Sequence, residues 1–102
     1  MVNVHAEFEQ RPFDMRFKTT EYYENEAKLK HPGIRDEWVE RVLANPIKTK
    51  NQPKGRKAYW GYIREAGKVL RVITLGDGTV HNRFWDRNFT ERWKQNPQWH
   101  RR

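Results

Sequence analysis

The chain has 102 residues, of which 35% are hydrophobic and 33% charged, with a formal net charge of +8 and no cysteine. This length favours one domain with a modest core, in which five Trp, four Tyr and five Phe supply much of the buried area. The lack of cysteine excludes a disulfide framework and a thiolate zinc site, and the lack of serine as well excludes acyl-enzyme chemistry by either nucleophile.

The charge is divided unequally along the chain. Residues 1–44 carry seven Lys and Arg against nine Asp and Glu, a balance of −2, whereas residues 45–102 carry fourteen against four, a balance of +10. A basic half indicates an anionic partner, most often a nucleic acid, although surplus cations also serve solubility alone. No apolar run approaches the roughly 20 residues that span a bilayer, and the N-terminus lacks a signal pattern. We therefore expect a cytoplasmic protein with no membrane partner.

The first half of the chain predicts two helices after an irregular start. Residues 1–14 show no sustained period and are expected to form a loosely ordered arm. A helix over residues 21–30 is favoured by Thr19 or Thr20 as its N-cap, by acids in its first turn and by lysines in its last. A second helix is predicted over residues 34–43 because its apolar side chains fall on one stripe.

The second half predicts antiparallel strands. Four segments have strand patterns: 47–50, 56–64, 69–75 and 79–85. The last two form a β-hairpin around Gly76-Asp77-Gly78, followed by a short helix over residues 88–95 and a basic tail at 96–102. Residues 1–102 are thus predicted to be a single α+β domain, with two N-terminal helices packed on a three- to four-stranded antiparallel sheet and a short C-terminal helix.

The polar residues of the hairpin suggest a phosphate-directed site. If Val80 and Phe84 face the helices, His81 and Arg83 lie on the outer face of the sheet, and Arg71 joins them on the simplest register. Arginine pairs with phosphate bidentately, and histidine transfers protons near neutral pH. The candidate catalytic residues are His81, Arg83, Arg71 and Tyr62, with Tyr59 in place of Tyr62 in the other register.

Basic and aromatic residues around this face suggest contacts with RNA. Exposed rings stack on unpaired bases, and cations neutralise phosphates. The candidate nucleic-acid-binding residues are Lys50, Lys54, Arg56, Lys57, Tyr59, Arg64, Trp85 and Arg87. No metal and no cofactor are expected: none of the four histidines has a partner at ligand spacing, and the chain has no glycine-rich phosphate loop.

A structural role for the same residues is the alternative. Arg71 and Arg83 are able to pair with nearby carboxylates such as Asp86 on a solvated face. His81 is then an ordinary surface histidine, and Trp85 belongs to the core beneath the last helix.

Three stretches resemble one protein family: HPGIRDEWVERVLANP at residues 31–46, GRKAYWGYI at 55–63 and LRVITLGDGTVHNRFWDRNF at 70–89. This succession resembles short bacterial proteins of the RelE/BrnT-like toxin superfamily, over roughly residues 20–90. The resemblance implies a compact sheet with helices packed on one face, metal-independent cleavage of messenger RNA, and neutralisation by a small acidic antitoxin.

Three functions are therefore considered. The first is a metal-independent endoribonuclease that lays RNA across the outer sheet face, with the 2′-hydroxyl as nucleophile. The alternative is a non-catalytic module that uses the same face for nucleic acid or for a protein partner. A further alternative is an interaction protein whose aromatic sheet edge pairs with a partner strand or with a second copy of itself, as a homodimer.

Overall fold

The computed structural model describes residues 17–100, which form an α+β fold around a four-stranded antiparallel sheet. This confirms the predicted fold class and sheet. The arm predicted at residues 1–14 lies outside the described residues. Among the helices of this part of the chain, none is long and apolar enough to cross a membrane.

Within residues 17–100, three α- or π-helical segments accompany the sheet. The first, α1, has a π-helical part at Tyr23–Ala27 and continues as α-helix over Lys28–Lys30. The backbone N–H of Tyr23 donates to Thr20 Oγ1 at 3.1 Å, so this threonine satisfies one N-terminal donor of the helix. The other two helices are α2, Asp36–Ala44, and α3, Arg87–Gln95.

The sheet has the strand order β1-β2-β3-β4, with every neighbouring pair antiparallel. Its strands are β1 (Lys48–Asn51), β2 (Lys57–Ile63), β3 (Lys68–Thr74) and β4 (Val80–Trp85). The predicted hairpin is confirmed, and Gly78 in its turn adopts a φ of 91°, a conformation that glycine reaches without strain. Residues 18–20 cover the outer edge of β4, where the N–H of Val80 donates to the carbonyl of Lys18 at 2.8 Å.

Helices cover both faces of the sheet. On one face, α1 and α2 bury a core with the sheet that includes Tyr23, Val42 and Leu70. On the other face, Phe89 and Trp93 of α3 pack against strand residues of a second core. The expectation of one open outer face is therefore wrong, because the last helix covers the side that α1 and α2 leave free.

A β-bulge in β4 changes which side chains face which helix. Thr74 pairs with Val80 and Ile73 pairs with Asn82, so His81 has no partner across the strands. An extra residue reverses the alternation of every side chain beyond it. Arg83 and Trp85 consequently face α1 and α2 with Val80, whereas Phe84 faces α3. The predicted arrangement, with Phe84 beside Val80 and Arg83 opposite, is wrong for this reason.

The segment after α3 packs on Trp93 of that helix and on Tyr62 of β2. Pro97–His100 form one turn of 3-10 helix within the segment predicted to be a basic tail. The His100 ring stacks on Trp93 with centroids 4.2 Å apart, and its Nε2 is 2.8 Å from the Trp93 carbonyl oxygen. Ring stacking therefore stabilises the packing of the C-terminal segment on α3.

Candidate functional site

Arg83, predicted to hold a phosphate, is a buried anchor of the α1–α2 face. Its side chain is 2% exposed and donates to the Tyr23 hydroxyl at 2.9 Å and to Asp36 Oδ1 at 3.0 Å. The carbonyls of His31 and Ile34 accept from its second terminal nitrogen at 3.1 and 2.9 Å. The guanidinium thus stabilises the junction between the two helices. Because it is buried and bonded to these groups, it does not lie on a ligand-binding surface.

The same network includes a strongly perturbed tyrosine. The Tyr23 hydroxyl donates to Asp36 Oδ1 at 2.6 Å. Burial and this hydrogen bond to a carboxylate raise the pKa of Tyr23 far above its usual value. Tyr23 therefore stays neutral and acts as a structural donor.

Arg71 lies on the opposite face of the sheet from Arg83. Its guanidinium carbon is 4.9 Å from the centroid of the Trp60 ring and 5.5 Å from that of Phe84, and its Nη1 is 4.0 Å from Asp86 Oδ2. Asp86 also caps α3, accepting the Phe89 N–H at 2.8 Å. The pairing of Arg71 with Asp86 agrees with the structural alternative considered for this residue.

Tyr62 is also separated from the other predicted catalytic residues. Its ring stacks on Trp93 and on His100, with centroid distances of 5.6 and 6.4 Å, so it belongs to the α3 face. His81 packs on the α1 side. The fold therefore does not bring His81, Arg83, Arg71 and Tyr62 into one cleft, and the expectation that the first three share a solvent-facing surface is wrong.

His81 instead forms a pair with Tyr22 of the α1 segment. The two rings are stacked, with centroids 4.8 Å apart and planes inclined by 27°. His81 Nδ1 is 3.1 Å from Thr20 Oγ1, while Nε2 makes no hydrogen bond to any residue between 17 and 100. Burial, with a smaller effect of the Arg56 charge, lowers the pKa of His81 below its usual 6.5. The ring is therefore mostly neutral at pH 7.

Cations lie near this ring pair and on strand β2. Lys30 donates to the Tyr22 hydroxyl at 3.1 Å and places its Nζ 5.3 Å from the ring centroid. On the same sheet face, Lys57 Nζ lies 5.2 Å from the centroid of the Tyr59 ring. Lys57 pairs with Thr74 of β3, and Thr74 pairs in turn with Val80, the residue before the bulge. The His81 surface is defined here as Tyr22, Lys30, Arg56, Lys57, Tyr59 and His81.

The other predicted binding residues lie in other parts of the sheet, in α3 or in the loop that precedes Arg56. Trp85 packs on Trp38 at a centroid distance of 6.0 Å near the far end of the sheet, where Arg64 follows β2. Arg87 is the first residue of α3. Lys50 of β1 pairs with Ala58, which belongs to the core that α3 covers. Lys54 is in the loop between β1 and β2, with a φ of 64°. Arg56, Lys57 and Tyr59 are thus the predicted contacts that cluster with His81.

Sequence reasoning missed Tyr22 and Lys30 as members of this surface. Thr20, which bonds His81, is 61 residues away from it in the chain, and no local pattern links them. Between residues 17 and 100, no group of three or more His, Asp or Glu side chains is placed to share a metal ion.

Comparison of the chain with protein-family models, curated proteins and solved structures finds no match. The resemblance to the RelE/BrnT-like toxins, the acidic antitoxin partner and the homodimer stay predictions.

Proposed function

We propose that this protein binds single-stranded RNA through the His81 surface. The observation that supports the proposal is the grouping of half-buried rings with cations that form no salt bridge within residues 17–100. Tyr22, Tyr59 and His81 supply π-faces, while Lys30 and Lys57 lie over the two tyrosine rings. Single-stranded nucleic acids are bound by this combination of stacking rings and phosphate-neutralising cations.

The two lysines give the surface a simple way to accept a base. A lysine over a tyrosine ring forms a weak cation–π contact at an exposed site, on the order of 0.5–1 kcal/mol. Stacking of a base on an aromatic side chain contributes about 1–3 kcal/mol, so a base displaces the lysine from the ring. The displaced ammonium group then pairs with the phosphate beside that base.

Fluorescence anisotropy with a labelled, unstructured RNA of about ten nucleotides tests this proposal. Lys57→Gln is expected to weaken binding and to reduce the slope of log affinity against log salt by about 0.7. Lys68→Gln is the matched control, since Lys68 is an exposed lysine near the far end of the same sheet face. Equal losses in both variants would contradict a localised site.

Stacking is tested separately with Tyr22→Leu, which keeps an apolar side chain at this position. We expect RNA affinity to fall about 5- to 150-fold, the equivalent of one lost stacking contact. Circular dichroism checks that the variant is folded. If Tyr22→Leu and Lys57→Gln both bind RNA like the wild type, the proposal is wrong.

RNA cleavage is a second candidate, supported by the state of His81. The lowered pKa of His81 and its Nε2, which is unpaired within residues 17–100, suit a base that removes a proton from a 2′-hydroxyl. In EDTA, the wild type is expected to cut RNA but not DNA of the same sequence, and His81→Ala to cut about 10²- to 10⁴-fold more slowly. Cleavage that is unchanged in His81→Ala would exclude this role, while RNA binding without cleavage would leave the protein a binding module.

A further inference from the structure

A cleft of about 470 Å³ lies on the α3 side of the sheet, away from the His81 surface. Its volume is within the range of pockets that enclose small organic ligands. Its walls combine apolar or aromatic side chains with two cations: Ile47, Phe89, Trp93, Trp99, Lys48 and Arg92. None of these residues belongs to the proposed RNA-binding surface.

The two cations of the cleft contact rings rather than carboxylates. Lys48 Nζ is 5.8 Å from the centroid of the Phe89 ring, and the Arg92 guanidinium carbon is 5.0 Å from the same centroid. Within residues 17–100, neither cation has a carboxylate within salt-bridge distance. The cleft lining therefore carries two positive charges and no negative one, which is complementary to an anion.

The indole rings of the cleft favour a ligand with a flat ring. Trp99 lines the cleft and is 37% exposed, so part of its ring is open to a flat ligand. Trp93 is 6% exposed, and its Nε1 is buried without a hydrogen-bond partner among the described residues.

We propose that this cleft binds a nucleoside monophosphate, with the base against the indole rings and the phosphate between Lys48 and Arg92. A phosphate monoester carries about −1.5 to −2 charges at pH 7, which matches two cations better than the single charge of a carboxylate does. Arg92 offers a planar fork for bidentate pairing with phosphate oxygens, and Lys48 adds a point charge.

Isothermal titration calorimetry of the full chain with AMP tests the proposal. Adenosine, which lacks the charge, and inorganic phosphate, which lacks the ring, are both expected to bind more weakly than AMP. Arg92→Gln and Lys48→Gln are expected to weaken AMP binding by about tenfold or more while leaving adenosine binding unchanged. The matched control is Lys94→Gln, because Lys94 is exposed on the same helix but outside the cleft.

Trp99→Leu separates the ring contact from the charge contact. It is expected to weaken AMP and adenosine binding by similar factors, with circular dichroism confirming the fold. AMP binding no tighter than inorganic phosphate, or unaffected by Arg92→Gln and Lys48→Gln, would overturn the site. Indole-3-acetate binding as tightly as AMP would overturn the preference for phosphate. These outcomes are independent of the RNA assay, which uses variants on the other face.

Discussion

Arg83 is a buried charged side chain that joins β4 to the junction of α1 and α2 through hydrogen bonds. Its replacement tests that structural role. Replacing it with Met leaves the acceptors on Tyr23, Asp36 and two carbonyls without their buried donor. We expect Arg83→Met to lower the free energy of unfolding by about 3–5 kcal/mol in urea denaturation at pH 7, the usual cost of breaking a buried ion pair from one side.

Two further variants keep this prediction testable if Arg83→Met is poorly folded. Tyr23→Phe removes a single buried hydroxyl and is expected to cost about 1–3 kcal/mol, because Asp36 and Arg83 each lose one hydrogen bond. Arg71→Met, on the opposite face, is the matched control and is expected to cost less, since Arg71 is 26% exposed in its side chain and its carboxylate contact is long, at 4.0 Å. An Arg83 variant no less stable than the Arg71 variant would contradict the anchoring role.

His81 titration is predicted from its environment. Burial lowers the pKa of His81 below 6.5, and the positive charge of Arg56 lowers it further. We expect NMR titration of the ring to give a pKa below 6.5, and Arg56→Gln to raise it without restoring the full value, since burial persists. The fold therefore favours the neutral ring. The contribution of His81 to the free energy of unfolding is complete above pH 6.5 and is lost as pH falls through the folded-state pKa. A pKa above 6.5 would contradict this.

At the scale of elements, Gly61 sets the approach of α2 to the sheet. A Cβ built on Gly61 would lie 2.7 Å from Val42 Cγ2, which is closer than packed carbons allow. We expect Gly61→Ala to cost about 1–3 kcal/mol of stability. Adding Val42→Ala should recover part of this cost, giving a coupling energy of about 0.5–3 kcal/mol in a double-mutant cycle.

Gly33→Ala is the control for this cycle. A Cβ at Gly33 meets no heavy atom within 4 Å, so its replacement should change stability by no more than about 0.5 kcal/mol. If Gly61→Ala lowered the free energy of unfolding no more than Gly33→Ala does, the close approach of α2 to β2 at Gly61 would be contradicted.

The ion pair between Arg41 and Glu65 ties α2 to the turn between β2 and β3. Two hydrogen bonds from Arg41, at 2.9 and 3.0 Å, are the main cause that lowers the pKa of Glu65 from 4.5 to about 2. A depressed pKa stabilises the fold above the unfolded value, so the contribution is complete above pH 4.5 and disappears as pH falls toward 2. Both side chains are half-exposed, and solvent keeps the effect small.

Melting temperatures of the wild type and Glu65→Gln test this pH dependence. The wild type should melt higher at pH 7, and the difference should shrink as pH falls below 4.5. Glu91→Gln serves as the control, because Glu91 is an exposed carboxylate on α3 with no ion pair within residues 17–100. A difference that stays constant down to pH 2 would show that the ion pair is not its origin.

Local sequence signals explain which elements were predictable. The hairpin follows from alternation and from Gly78, whose conformation the turn requires, and Asp86 begins α3 as a cap. The bulge at His81 has no local signal, because strand alternation does not show where a strand accommodates an extra residue. One unpaired residue moved Arg83 from the predicted site into the core, so the candidate site depended on long-range pairing that periodicity does not encode.

At the scale of the whole molecule, the sheet separates two basic surfaces. The His81 surface lies on the side of α1, and the cleft with Lys48 and Arg92 lies on the side of α3. The two proposed sites share no residue, so their ligands couple only through the electrostatic field or through movement of the sheet. At physiological ionic strength the screening length is about 8 Å, which makes direct repulsion between ligands on opposite faces weak.

We therefore predict that RNA and AMP bind independently. The dissociation constant for RNA, measured by anisotropy at physiological salt, should be unchanged by saturating AMP, and linkage requires the same of AMP binding in saturating RNA. Lys57→Gln should weaken RNA binding alone, and Arg92→Gln should weaken AMP binding alone. Competition by AMP that disappears in Arg92→Gln would contradict independence, because it would mean that the RNA strand crosses the β1 edge and places a nucleotide in the cleft.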